Sequence, residues 1–272
     1  MEASREGQES IVPELEPRIF YNPRYEINEL VKRGDMRKLM IKAAELHGHF
    51  CIGLAMGVKA SMLALKELGV ELPERDVTEH VRHELIAVVD NNLCFADGVQ
   101  MIIGATLGNN SLVFRDMGKI SLTLIDKKSK RAVRVTMIKP FTSPTIENEK
   151  FQELFRKVMV RREQVPKKEA EAFRSMMDRA SLEVLSLPEN EYFKVEKFEV
   201  EDVNDEAFKG PSVQWVKCAH CGGLVIESKA FKKEDQGKKY YCADCAGEKV
   251  YSVVGRKIDK ISLSDIARLI RM

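Results

Sequence analysis

His47-Gly48-His49-Phe50-Cys51-Ile52-Gly53 holds two of the five histidines and one of the six cysteines of this chain. Before it, Asp35 to Leu46 predicts a short helix, with Met36, Leu39, Met40, Ala43 and Leu46 spaced to share a face. After it, Leu54 to Leu68 predicts a second helix carrying Leu54, Val58, Met62, Leu65 and Leu68. The stretch therefore reads as a junction between helices. Gly48 and Gly53 permit tight backbone there, and the open N–H groups of the second helix can face a cleft. Cys51 falls at or just before that helix start, where the positive end of the helix favours a thiolate and so metal ligation or nucleophilic chemistry.

A second polar stretch, Asp90-Asn91-Asn92-Leu93-Cys94-Phe95-Ala96-Asp97-Gly98-Val99-Gln100, follows an apolar strand, Leu85 to Val89, and precedes an apolar helix, Met101 to Leu107. Polar and thiol groups at the end of a buried strand face a cleft. Cys51 and Cys94 are the two cysteines outside a C-terminal cluster. His47, His49, Cys51 and Cys94 form the candidate cleft site for a divalent metal. Asp97 and Gln100 are its candidate catalytic groups, with Asp97 placed to act as a general base. Mixed imidazole and thiolate ligands suit zinc, nickel, copper or iron. Which histidine binds stays open, because His47 shares a face with Cys51 only if helix runs on through Gly48. The competing reading is a pair of packed thiols.

His47 to Gly53, then Asp97-Gly98-Val99-Gln100 with Gly104-Ala105-Thr106-Leu107-Gly108-Asn109, then Asp116-Met117-Gly118-Lys119, together resemble the FmdE-like family of formylmethanofuran dehydrogenase subunits. The resemblance covers roughly residues 35–200. It implies an α+β core with helices packed on a mainly antiparallel sheet, a His/Cys cleft able to hold a metal, and commonly a homodimer. It also implies a link to molybdenum or tungsten formylmethanofuran dehydrogenase, which fixes carbon dioxide onto methanofuran in methanogenesis.

The rest of the core follows the same logic. Ile27 to Val31 predicts a short helix ended by Gly34. Lys119 to Asp126 and Arg131 to Met137 alternate apolar and polar residues about a Lys-Lys-Ser-Lys turn, which predicts a hairpin with one buried and one polar face. Asn148 to Gln164 and Lys168 to Leu185 predict helices, the second carrying Ala172, Met176, Ala180 and Val184. Tyr192 to Val200 predicts a last strand that buries Phe193, Val195 and Phe198. His80 and His83 are expected to be solvated. Residues 1–200 are assigned to the core, with 1–17 as a mobile tail, and the acidic stretch 201–212 to a linker.

Residues 213–272 are assigned to a zinc-binding domain. Cys218-Ala219-His220-Cys221 and Cys242-Ala243-Asp244-Cys245 are separated by twenty residues, and two such turns complete a tetrahedral site for structural zinc. The alternatives are a disulfide pair or a rubredoxin-like iron site, which would use the same ligands. The module resembles a zinc ribbon or treble clef, with short strands at Leu224 to Ile226 and Lys239 to Tyr241, a helix starting near Cys242, and Trp215 packed beside the zinc turn. Ser262 with Asp265 is a capping pattern for a C-terminal amphipathic helix.

A net charge of +2 creates no global nucleic-acid field, so nucleic acid is a local option for the lysines of the module. No apolar run reaches the ~18 residues of a membrane span, and Met1 to Gln8 lacks a secretory core. A cytoplasmic protein is expected, its cysteines serving as metal ligands. Nucleotide-loop, GxSxG and HExxH motifs are absent, which argues only against those enzyme types. Two functions fit: a metal-binding, oxidoreductase-associated protein with a working cleft, or a non-enzymatic dimeric scaffold whose zinc finger binds a protein or nucleic-acid partner.

Overall fold

The computed structural model describes residues 22–72, 85–201, 214–233, 239–254, 257–262 and 265. The predicted tail, His80, His83, most of the 201–212 connection and all but the cap of the C-terminal helix lie outside the described residues.

Three helices open the core: α1 (Tyr25–Arg33), α2 (Met36–His47) and α3 (Ile52–Leu68). Each ends on a glycine in the left-handed region, Gly34, Gly48 and Gly69, as expected where the chain must leave a helix without a Cβ penalty. Asp35 caps α2 by accepting from the Lys38 amide at 3.1 Å. Leu46, expected on the inner face of α2, is exposed. It lies about a quarter turn round the helix from the direction shared by the buried Leu39, Met40, Ala43 and Ala44.

Helix α3 is the centre of the core. Leu54, Ala55, Val58, Ala60, Leu63, Ala64 and Leu68 are buried around nearly its whole circumference, so the one-sided stripe predicted for it understates its burial. Even Lys59 is buried, and its Nζ donates to the Leu185 carbonyl at 2.9 Å. Burial lowers its pKa.

The sheet has the order β2-β1-β3-β4-β5. Its strands are β1 (Leu85–Val89), β2 (Leu112–Phe114), β3 (Ser121–Asp126), β4 (Arg131–Met137) and β5 (Phe193–Glu199). Among these strands β1 and β2 run parallel and every other pairing is antiparallel, so the architecture is α+β on a mainly antiparallel sheet. Register places Val89 opposite Leu122 and Leu122 opposite Val135, and these residues pack in the common core with α3. The opposite face is mixed, with Ile86, Val88, Ile125 and Ala132 beside Thr123 and Arg134, and Asp90, Ser121 and Thr123 on that side are buried. Arg134 accounts for this: it bonds Asp90, Ser121 and Thr123 together. Phe198 is exposed, against the expectation of burial, since it pairs with Ala132 on the sheet face opposite the one that packs with α3.

Helix α4 (Cys94–Ile103) begins seven residues earlier than predicted and ends before Leu107. Helix α5 (Glu149–Phe155) passes into a π-helical turn, Arg156–Val160, and stops there rather than at Gln164. Helix α6 (Lys167–Leu185) turns Phe173, Met177, Ala180 and Val184 inward, a stripe only partly anticipated. A short α7 (Glu189–Tyr192) leads into β5.

In the C-terminal module, β6 (Trp215–Lys217) pairs with β7 (Leu224–Ile226), and β8 (Phe231–Lys233) pairs with β9 (Lys239–Tyr241). Helix α8 (Ala243–Ala246) starts at Cys242. A hairpin absent from the sequence reading, β10 (Val250–Val254) with β11 (Lys257–Ile261), follows. Trp215 is 57% exposed instead of packed. The expected cap forms: the Ser262 amide and hydroxyl donate to Asp265 Oδ2 at 2.9 and 2.8 Å.

Candidate metal centre

Two helix N-termini meet at the core site. Cys51 is the N-cap of α3, and its sulfur accepts from the Leu54 amide at 3.4 Å. Cys94 is the first residue of α4. The helices are brought together by backbone contact, which only glycine allows. A Cβ on Gly57 would lie 2.1 Å from the Phe95 carbonyl oxygen, and one on Gly98 would lie 2.7 Å from that of Leu54. A Cβ on Gly53 would sit 3.0 Å from the Cβ of Cys94.

The loop that delivers Cys94 is pinned from below. Asp90 is fully buried at the end of β1. It accepts from Ser121 Oγ at 2.6 Å, pairs with Arg134, and has the Arg115 guanidinium 3.4 Å away. Asn91 donates to the Lys119 carbonyl and accepts from the Leu93 amide. At the far end of α4, Arg24 donates to the carbonyls of Met101 and Ile102 at 2.7 and 2.8 Å, covering carbonyls that the helix leaves open.

Gly48 ends α2 with φ +89°, so His47 and Cys51 do not share a continuous helix. The turn itself restores their proximity, with His47 Nε2 and Cys51 Sγ 3.6 Å apart. Ligand atoms of His47, Cys51 and Cys94 all lie within 4.8 Å of one another. His49 stands outside this group: it is exposed and its ring stacks 4.4 Å from that of His47.

Asp97 lies one turn into α4 and accepts from His47 Nδ1 at 2.7 Å. Gln100 Nε2 donates to the other Asp97 oxygen at 3.1 Å. Asp97, expected from sequence as a general base, is thus hydrogen-bonded to His47, and Gln100 holds Asp97. These two bonds fix the imidazole with Nε2 turned to the thiols. The His47 side chain is 12% exposed and that of Asp97 37%, so the site opens toward solvent on the Asp97 side.

The two thiols are electrostatically paired. Cys51 shares its hydrogen with the Cys94 sulfur, and this contact together with burial pushes the Cys51 thiol up. The same contact, aided by His47, pulls Cys94 down to about 5. The pair favours one shared proton over two, and a metal ion would displace it. A tetrahedral ion with the usual bond lengths requires ligand atoms about 3.5–3.8 Å apart. The His47–Cys51 separation meets that requirement.

In the C-terminal module, Cys218, Cys221, Cys242 and Cys245 likewise lie within 4.8 Å of one another. Cys221 and Cys242 sulfurs are 3.9 Å apart. Amides of Cys242 and Cys245 donate to the sulfurs of Cys218 and Cys242 at 3.4 and 3.5 Å. Backbone donors at Cys221 and Cys242 draw Cys218 down to about 6, whereas the Cys242 contact pushes Cys245 up to about 12. The second pair sits at a helix start, the treble-clef arrangement. Sequence reading missed Gly57, Gly98 and Asn91; their signals are small residues facing each other across α3 and α4 and an Asx turn before Cys94.

The model of the family FmdE, molybdenum formylmethanofuran dehydrogenase operon, matches residues 46–194, just over half of the chain. A probable S-adenosyl-L-methionine-binding protein of Archaeoglobus fulgidus is 36% identical over 225 residues, covering 83% of this chain and 57% of that protein. The chain thus spans a little over half the length of this curated relative. A tungsten formylmethanofuran dehydrogenase FmdE-like protein from Syntrophus aciditrophicus is 18% identical with a TM-score of 0.44, over 78% of this chain and 92% of that one. No described helix is long and apolar enough to cross a membrane.

Proposed function

The chain belongs to the FmdE family, and from that premise we propose that its core is an open divalent-metal centre held by His47, Cys51 and Cys94. The observation that carries this reading is the convergence of three donors from α2, the α3 cap and α4, with the remaining nitrogen of His47 already engaged by Asp97. Metal-binding histidines almost always have such a partner. Three protein ligands leave one position for water or substrate, and an ion there supplies Lewis acidity. Cys51 and Cys94 give up their shared proton on binding, Asp97 and Gln100 hold the imidazole, and the exposed His49 flanks the entrance. In the same reading the four-cysteine module holds a structural zinc. The chain acts as a dimeric, metal-bearing partner of a molybdenum or tungsten formylmethanofuran dehydrogenase in the cytoplasm.

Metal content of the purified full chain tests this. Wild type is expected to carry two ions per chain, and the double variant His47→Ala/Cys51→Ser one, with unchanged circular dichroism. Equal metal content in the two proteins defeats the reading.

A second reading rests on one surface. Trp215 and Leu224, 57% and 70% exposed, share a face of the β6–β7 hairpin with Lys217. Exposed aromatic and apolar groups beside lysine fit a partner-binding role for the module. Loss of single-stranded DNA retention by Trp215→Ala, with metal content intact, would favour it.

A further inference from the structure

An apolar cleft of about 400 Å³ opens between the first turns of α3, the segment after β4, and the junction of α5 with its π-helical turn. Ile52, Met56, Met137, Phe141, Phe155 and Arg156 are among the residues that line it. Ile52 directly follows Cys51, so the cleft begins one residue along the helix from the thiol centre.

Three observations say what fits it. The volume is that of a small-molecule site. Its walls are thioether, aliphatic and aromatic, so the body of an occupant is apolar. Arg156 is the one charged residue among those lining it, and its guanidinium makes no ion pair among the described residues, donating only Nε to the Gln152 carbonyl at 3.2 Å. Arg156 is also where α5 widens into the π-helical turn, a distortion that recurs at functional sites.

We infer that this cleft binds a small amphipathic carboxylate, its apolar body between Met56, Met137 and Phe141 and its carboxylate on Arg156. This site does not depend on the metal reading, since none of the three metal-ligand candidates lines the cleft.

The test is titration of the full chain, labelled with ¹³C at its methionine methyls, with sodium octanoate and separately with 1-octanol. Met56 and Met137 are expected to shift saturably with octanoate while Met40 and Met117 stay still. Arg156→Gln should weaken octanoate about threefold, the size of an exposed ion pair, and leave octanol unchanged. Absent or unsaturable shifts at Met56 and Met137 overturn the proposal, as does an equal loss for both probes. Shifts that depend on protein concentration without octanoate also overturn it, because they mark the cleft as a contact between copies of the chain.

Discussion

Gly53 and Cys94 compete for the same space. A Cβ on the first would stand 3.0 Å from the Cβ of the second, so the glycine that closes the His47–Gly53 stretch is in close contact with a residue forty-one positions away in the chain. Gly53→Ala should displace Cys94 by a few tenths of an ångström and lower core metal affinity, with little loss of stability. Gly57→Ala meets backbone at 2.1 Å and should cost about 1–3 kcal/mol or more. Thermal unfolding and metal titration of the two variants would separate these effects; equal destabilisation would contradict the account.

Asp97→Asn keeps the shape beside His47 but removes the carboxylate. Loss of a partner of this kind typically weakens metal affinity ~10–100-fold. Competition with a chelator, run on the full chain, should show that drop for the core ion while the module retains its own. An affinity within twofold of wild type would mean that Asp97 does not orient His47.

Cys218→Ser removes the buried member of the module's four-cysteine cluster. The module has few buried residues of its own among those described, so under the proposed structural-zinc reading its fold depends on the ion. Hydrogen exchange should rise across residues 214–254 and stay unchanged in α3 and β3. Retained metal with protected module amides would refute this.

Glu183 ties α6 to the loop before α5, accepting from the Thr145 amide and hydroxyl at 3.1 and 2.7 Å. Burial alone would raise its pKa, but the bonds from Ser143 and Thr145 outweigh it, and the pKa is lowered from 4.5. The folded state therefore binds this proton less readily than the unfolded chain. The stabilisation is complete above pH 4.5 and disappears as pH falls through the lowered value. Denaturant unfolding from pH 6 to 3 should show a loss that Glu183→Gln flattens by about 1 kcal/mol; parallel curves would exclude Glu183 as its source.

The helices around the site were legible where local chemistry marks them. Asp35 announces α2, and Gly34 and Gly69 end helices in conformations that suit glycine. The start of α4 was not legible, because its N-cap is Leu93, which makes no side-chain cap bond, and the run from Asp90 to Asp97 looks like loop. Its helical state comes from packing on α3, a tertiary effect. The choice of His47 over His49 was equally hidden: the turn at Gly48 decides it, and spacing along a helix says nothing about a chain that has left the helix. The hairpin was foreseen, but its outer face sets Ile125 and Ala132 among the polar residues, and the burial of Asp90, Ser121 and Thr123 under Arg134 depends on a pairing between β1, β3 and β4 that no local pattern carries.

Because α3 and α4 touch through main-chain atoms at Gly57 and Gly98, the separation of the two sulfurs is inherited from the backbone and not from the surrounding side chains. The residues that line the neighbouring cleft can then be exchanged for others without retuning the thiols. A protein engineer could recast what enters the cleft and leave the reactive end as it stands. The same design has a fragile point: a single methyl group at either glycine would alter everything downstream of it at once.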